Sequence, residues 1–314
     1  MSTIDKILSE IRINRAFIRR VWNADKMIYS YADVPALDNR VNLHIGDQKR
    51  DGYVVRYREN LGDRLAIPIC EFLLGKIGIH LDQPVKGRRH LFSIGSGALG
   101  SFVDGVMWGS GIMFDGLNGT RYGGNKPRWW EKYWDANHRK LDIRAVRGPL
   151  TREVFLRLGH KCPEIYGDPG ILMPLIYPPP FPPQEELHDY KIIPQCISEN
   201  EARRYIQADK IISMNTEDYR KVIDQICSCK LVYSSSLHGI ILAETYGVPA
   251  VFYRTLPERM DFKFRDWYAS TGRPDVPLAD TLVEAMSMEP PELPDLKEMQ
   301  QQLADVFPYD LWTD

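Results

Sequence analysis

The stretch Leu231–Arg254, LVYSSSLHGIILAETYGVPAVFYR, decides how the rest of the chain is read. A short apolar run, Leu231-Val232-Tyr233, leads into Ser234-Ser235-Ser236 and then Leu237-His238-Gly239. A helix-like segment from Ile240 to Tyr246 follows, and Gly247-Val248-Pro249 introduces a second apolar run from Ala250 to Tyr253. Strand, small-residue turn, helix and strand in that order make a βαβ unit, which requires a crossover helix and a parallel sheet. The turn brings hydroxyls and an imidazole to the carboxyl end of a strand and the amino end of a helix. Unpaired N–H groups at such a helix end favour a phosphate or carboxylate. His238 stands where a proton donor to that anion would be, although the same residues also suit a serine-capped helix with a hydrogen-bonded histidine.

The βα rhythm continues in both directions. Downstream of a proline-dense segment, Pro174 to Pro183, strands are predicted at Lys191–Pro194 and Lys210–Met214 and a helix at Glu199–Gln207. Tyr219, Val222, Ile223, Ile226 and Cys227 fall on one face of a helix over 217–229. Two further helices, near 281–287 and 294–306, close the chain. Upstream, residues 3–29 read as an amphipathic basic helix, Tyr53-Val54-Val55 as a strand and Leu65–Leu74 as a helix. Strands at Leu91–Ile94 and Val106–Trp108 each end in a Gly-Ser-Gly, and Leu141–Val146 delivers Arg147-Gly148-Pro149 to a helix that stops at Gly159. Strands that finish in small residues suggest loops gathered on one edge of a parallel sheet, where such folds hold ligands. Proline density stiffens the backbone as in a linker, so domains are predicted at 1–180 and 181–314, each a doubly wound parallel sheet.

Composition narrows the function classes. The 314 residues are 44% hydrophobic and 26% charged, as in a soluble globular protein, and a net charge of -2 argues against a nucleic-acid binder. No apolar run approaches the ~18 residues of a membrane span and the amino end lacks a secretory apolar core, so a cytoplasmic location is expected. The 5 cysteines are an odd count scattered through the chain, which fits reduced thiols. Trp108, Trp129, Trp130, Tyr133 and Trp134 concentrate flat amphipathic rings that suit either a sugar face or a core. No acidic cluster of the kind that cages a divalent ion is present in the sequence, and no metal is expected.

An ordered set of motifs resembles the polysaccharide pyruvyl transferase family, in its bacterial exopolysaccharide and capsule branch. These are Asn60-Leu61-Gly62-Asp63, Trp108-Gly109-Ser110-Gly111, Arg147-Gly148-Pro149-Leu150-Thr151 with Leu158-Gly159, and Gly167-Asp168-Pro169. Ser235-Ser236-Leu237-His238-Gly239 with Gly247-Val248-Pro249, and Lys263-Phe264-Arg265-Asp266-Trp267-Tyr268 with Ser270 and Gly272, complete it. Many members have Arg where Ser236 stands and His-Tyr where this chain has Gln195-Cys196. The resemblance implies a GT-B-like fold with two Rossmann-like domains and the active site in the cleft between them. It implies transfer of pyruvate from phosphoenolpyruvate to a sugar as a cyclic ketal, with no further cofactor. The acceptor would be an oligosaccharide, with a lipid carrier and contact with the inner membrane face both compatible.

The residues suit that chemistry. Phosphoenolpyruvate carries a carboxylate and a phosphate on one small frame, so its site needs fixed positive donors, and protonating its vinyl carbon needs an acid near neutral pKa. His238 is the expected acid. Ser235, Ser236, Leu237, His238 and Gly239 are expected to bind the phosphate, and Arg147, counted with the catalytic residues, to hold the carboxylate and the remaining charge with Lys263 or Arg265 in support. Asp63 is expected as base, with Asn60, Asp63, Trp108 and Trp129 on the acceptor side. Two other classes fit parts of the pattern. A nucleotide-sugar glycosyltransferase would use Glu244 on the ribose, and a non-catalytic carbohydrate-binding protein would use the tryptophans and dispense with His238.

Overall fold

A computed structural model describes residues 40–43, 60–96, 104–113, 140–179 and 182–313. The helix expected over 3–29, the strand at Tyr53–Val55, the loop at 123–127 and the rings of Trp129, Trp130, Tyr133 and Trp134 lie outside these residues.

In the first half, β1 (Arg40–Leu43), β2 (Arg88–Phe92), β3 (Gly105–Trp108) and β4 (Leu141–Ala145) form a parallel sheet in the order β1-β2-β3-β4. The helices α1 (Leu61–Arg64) and α2 (Ala66–Gly75) lie between β1 and β2, and α3 (Pro149–Leu158) follows β4. Thr151, Val154, Phe155 and Leu158 make the buried stripe of α3, and Gly159 ends it at φ 96°. A 3₁₀ helix then runs from Pro169 to Leu175, ending as the proline-dense segment begins at Pro174.

The second half holds β5 (Lys191–Ile193), α4 (Glu199–Ala202), α5 (Tyr219–Cys227), β6 (Val232–Ser234), α6 (Leu237–Thr245) and β7 (Ala250–Phe252). Beyond them come α7 (Phe262–Ser270), α8 (Leu282–Ala285) and α9 (Lys297–Asp305). Strands β5, β6 and β7 are parallel in that order. Single bridges add Ile211 beside Ile192 and Ala279 beside Tyr253. Because Ile192 also pairs with Tyr233 of β6, Ile211 lies on the far side of β5, and chain progression reverses direction between β5 and β6. A parallel sheet opens a crevice at such a reversal, outside the carboxyl ends of the two strands.

Several elements differ from expectation. The helix expected at 199–207 is confined to Glu199–Ala202, and the strand at 210–214 is reduced to the bridge at Ile211. Helix α6 begins at Leu237 rather than Ile240, because Ser236 is already the extended residue before the helix, so His238 belongs to its first turn. Helix α7 was not foreseen as an element. Its buried face carries Lys263 and Asp266 beside Phe264, Trp267 and Tyr268, and charged residues on that face blur the apolar period by which helices are recognised.

One continuous apolar core joins the two sheets, running through Leu65, Ile69, Trp108, Ile171, Ile193, Ile240, Trp267 and Leu303. The 3₁₀ helix at its centre packs against α2, α6 and α9. The end of the chain returns to the first sheet. Arg144 pairs with Asp310 at 2.5 Å, Arg89 Nη1 donates to the Leu311 carbonyl at 2.7 Å, and the Trp312 indole N–H donates to the Leu81 carbonyl at 3.1 Å. Trp108 is sealed beneath this segment, with its N–H donating to the Leu303 carbonyl at 2.8 Å and its ring edge-to-face with Phe307. Its expected place on the acceptor side is therefore corrected: it is core, with no face free for a sugar. No helix among the described residues is long and apolar enough to cross a membrane.

Candidate active site

The carboxyl ends of both sheets meet around His238. The ring is almost wholly buried, and its Nε2 lies 3.5 Å from Oδ2 of Asp168, itself fully buried at the residue before the 3₁₀ helix. Oδ1 of Asp168 accepts the Gly170 N–H at 2.9 Å, which fixes the carboxylate, while neither Asp168 Oδ2 nor His238 Nε2 has a hydrogen-bond partner among the described residues. The opposite edge of the ring rests on Gly62 of α1. A methyl group at Gly62 would overlap Nδ1 and the adjoining ring carbons, so only glycine lets the imidazole sit there.

Asp63 is the next residue of α1, and burial raises its pKa against the opposing field of His238. Asn60 makes no cap bond of its own; its amide instead donates to Asp63 Oδ2 at 2.8 Å, and its carbonyl accepts the Cys196 thiol at 3.5 Å. Burial pushes that thiol up to about 12, so it stays protonated. Helix α1 is itself held by the second half: the Leu61 N–H donates to the Met214 carbonyl at 2.9 Å, and Arg64 pairs with Glu217 at 2.8 Å. Asp63 and His238 thus come from opposite halves and are fixed against each other by that seam.

On α7, Lys263 is buried, and its Nζ donates to Gln195 Oε1 at 3.2 Å. Burial, and then the nearby Arg147 guanidinium, lower its pKa to about 8, with Asp63 pulling the other way. Arg265, two residues on, turns to another face and donates to the Val276 carbonyl at 2.8 Å, so of the two cations expected in support of Arg147, Lys263 is the one that lies in this cluster. Arg147 is fully buried. Its Nη2 donates to the Ile112 carbonyl at 2.6 Å, its Nη1 to Ser96 at 3.2 Å, and its Nε faces Asp266 at 3.3 Å. Its charge is therefore largely matched by Asp266 before any ligand arrives.

The serines divide their work. Ser234 Oγ accepts the Ser236 N–H at 3.0 Å and donates to the Ser236 carbonyl at 2.8 Å, which shapes the turn. Ser235 Oγ accepts the Gln195 N–H at 2.9 Å, tying the ends of β5 and β6 together at the reversal of strand order. Ser236 stands before α6 without a side-chain cap bond, next to first-turn N–H groups of Leu237, His238 and Gly239, which a helix leaves without internal acceptors. A side chain at Gly239 would overlap Ser234 Oγ and press on Ile193, so the glycine lets that helix end sit directly on the sheet.

Asn60, Asp63, Ser235, Ser236, Leu237, His238, Gly239 and Lys263 are thus assembled in one place, with Arg147 just behind them. Trp129 lies outside the described residues. Asp168, Asp266 and Gln195 belong to the cluster and were not singled out from the sequence as site residues. Asp168 and Asp266 stood inside motifs quoted for the resemblance, and that was their only signal. Glu244 is elsewhere: both its oxygens accept from Arg273 at 2.8 Å, and one also accepts the Trp267 indole N–H at 2.7 Å. Among the described residues, no group of His, Cys, Asp and Glu is arranged to hold a metal ion.

The arrangement is that of an α/β protein with an acid–base cluster where two parallel sheets meet. Residues 88–255 match the model of the polysaccharide pyruvyl transferases, and the chain belongs to that family. It is 33% identical over 224 residues to an uncharacterised protein of Acanthamoeba polyphaga mimivirus, covering 68% of this chain and 71% of that one. It is 29% identical over 159 residues to the succinoglycan biosynthesis protein ExoV of Rhizobium meliloti, and spans about half of that relative, 48% of each chain. A solved structure of an uncharacterised Klebsiella pneumoniae protein matches 78% of this chain and 92% of its own at 13% identity and a TM-score of 0.41.

Proposed function

We propose that this protein takes pyruvate from phosphoenolpyruvate and places it on a sugar of a polysaccharide repeat as a cyclic ketal. Family membership and the likeness to a succinoglycan biosynthesis protein support a polysaccharide acceptor. The observation that carries the donor assignment is His238 in the first turn of α6, facing a buried carboxylate and flanked by Asp63, with Lys263 close to Asp63. The donor phosphate would lie on the first-turn N–H groups and Ser236, and its carboxylate near Lys263.

His238 gives a proton to the vinyl carbon, which becomes a methyl group and leaves an oxocarbenium-like centre. Asp63 takes the proton of one acceptor hydroxyl as its oxygen bonds to that centre. The C–O bond to phosphate breaks, a second hydroxyl closes the ring, and its proton leaves with the phosphate. One phosphoenolpyruvate and one sugar diol become one ketal and one inorganic phosphate. Burial raises the Asp63 pKa, which makes it a stronger base than an exposed aspartate.

In this reading, 1–180 and 181–314 act as the acceptor and donor halves of a GT-B-like enzyme in the cytoplasm, with the acceptor open to carriage on a lipid at the membrane face. The nucleotide-sugar alternative is weakened by Glu244, whose side chain is 1% exposed and already bound to Arg273 and Trp267. The carbohydrate-binding alternative loses Trp108 to the core. Isothermal titration separates the three: the proposal expects phosphoenolpyruvate to bind and UDP-sugars not to. Binding of a UDP-sugar without phosphoenolpyruvate would replace it with glycosyl transfer, and sugar binding alone, unchanged in His238→Ala, with a non-catalytic role.

A further inference from the structure

The buried pair formed by Asp168 and His238 has a consequence that deepens the proposed reaction and rests on it for its catalytic part. Two atoms face each other at 3.5 Å, Asp168 Oδ2 and His238 Nε2, each buried and each without another hydrogen-bond partner among the described residues. An unpaired buried carboxylate oxygen is costly, and a proton between the two atoms would satisfy both. The proton has to come from the imidazole, since a bare Nε2 would set its lone pair against those of the carboxylate. The carboxylate cannot turn away, because Oδ1 is engaged by the Gly170 N–H at 2.9 Å. The other ring nitrogen, Nδ1, lies on the opposite edge, which packs against the backbone of Gly62 and away from Asp168. Among the described residues, Asp63 on α1 also lies in the field of the ring, with Lys263 on α7 near Asp63.

We infer that Asp168 is a positioning residue: it holds a proton on Nε2 of His238, so that Nδ1 is the nitrogen that exchanges protons with the substrate. When His238 is charged, the proton on Nε2 stays with Asp168 and the one on Nδ1 is transferred; the neutral imidazole left behind is the Nε2–H tautomer. Asp168 touches neither donor nor acceptor. It fixes which end of the ring is reactive, as a buried carboxylate does for a catalytic imidazole in other enzymes.

The test is Asp168→Asn in the full-length protein. Asparagine keeps the bond to the Gly170 N–H through its carbonyl oxygen, and this turns its amide N–H group toward Nε2. The neutral ring should then carry its proton on Nδ1. Nitrogen-15 NMR of histidine-labelled protein, with the His238 signal assigned by its loss in His238→Ala, reads the tautomer directly and needs no substrate. The expected results are Nε2–H in the wild type, Nδ1–H in Asp168→Asn, and a fall of about 10- to 100-fold in kcat with KM for phosphoenolpyruvate within about twofold, below the ~10²–10⁴-fold lost with the acid itself. A wild-type neutral ring protonated at Nδ1, or a variant with unchanged tautomer and kcat, overturns the inference. Should the variant fail to fold, the wild-type tautomer alone decides. Absence of turnover by a wild-type protein with the Nε2–H tautomer would sink the reaction proposed above and leave this assignment standing.

Discussion

At Gly62, the absence of a side chain determines where the His238 imidazole can lie, since any β-carbon there would overlap the ring. Gly62 is within a helix, so alanine is acceptable to the backbone and the whole effect falls on His238. Gly62→Ala should lower kcat by ~10²-fold or more, as the acid is displaced, while overpacking lowers stability by only ~1–3 kcal/mol; parallel kinetics and urea titration read the two. Lys263 supplies a pH signature. Its free-enzyme pKa of about 8 means that it is charged below that pH and increasingly neutral above it. An anionic donor binds the charged form, so kcat/KM for phosphoenolpyruvate should fall as pH rises through about 8, and Lys263→Met should be weaker throughout and lack that limb. His238, Asp63 and Lys263 could be read from the sequence because each is a chemically apt residue inside a recognisable motif. Asp168 could not, because its partner lies far along the chain and only folding brings a 3₁₀ start against a helix start.

The joint between α3 and α7 shows how an element can depend on a side chain outside itself. Gly148 precedes α3 and has no side chain to cap it; Asp266 of α7 accepts instead, from the Thr151 N–H at 2.9 Å and the Thr151 hydroxyl at 2.6 Å, while facing Arg147 at 3.3 Å. Removing it orphans a helix end and a fully buried guanidinium together. Asp266→Ala should therefore cost ~3–5 kcal/mol in urea unfolding, the range for breaking a buried pair; a loss below ~1 kcal/mol would show that Arg147 finds other partners. This joint also explains what local patterning could reveal. Helix α3 was evident from Pro149, Gly159 and an apolar stripe, whereas α7 hides its helical period behind Lys263 and Asp266, the two residues that tie it to the site.

At the scale of the molecule, the proline-dense segment does separate two sheets in sequence, yet the apolar core passes through both by way of the Pro169–Leu175 helix. The returning chain end adds contacts on the first sheet through Asp310, Leu311 and Trp312. Such continuity predicts one cooperative unfolding transition, coincident by tryptophan fluorescence and far-UV circular dichroism; two separated transitions would show that the halves unfold independently. Trp312→Ala should shift that transition down by ~3–5 kcal/mol, because the indole is nearly fully buried and stacked on Phe307. The alternation of strands and helices foretold two parallel sheets. It gave no sign of this return, because the contacts that make it are long-range pairs with no local pattern.

Bringing Asp63 from one half against His238 and Lys263 from the other has one chemical purpose in this account, the transfer of pyruvate to a diol. Mass spectrometry of candidate polysaccharide-repeat oligosaccharides incubated with phosphoenolpyruvate tests it most directly. The prediction is an oligosaccharide carrying one pyruvate as a ketal, with one phosphate released per product and neither formed by His238→Ala. A product formed equally well by His238→Ala, or no ketal on any repeat-unit sugar from a folded protein that binds phosphoenolpyruvate, would contradict it.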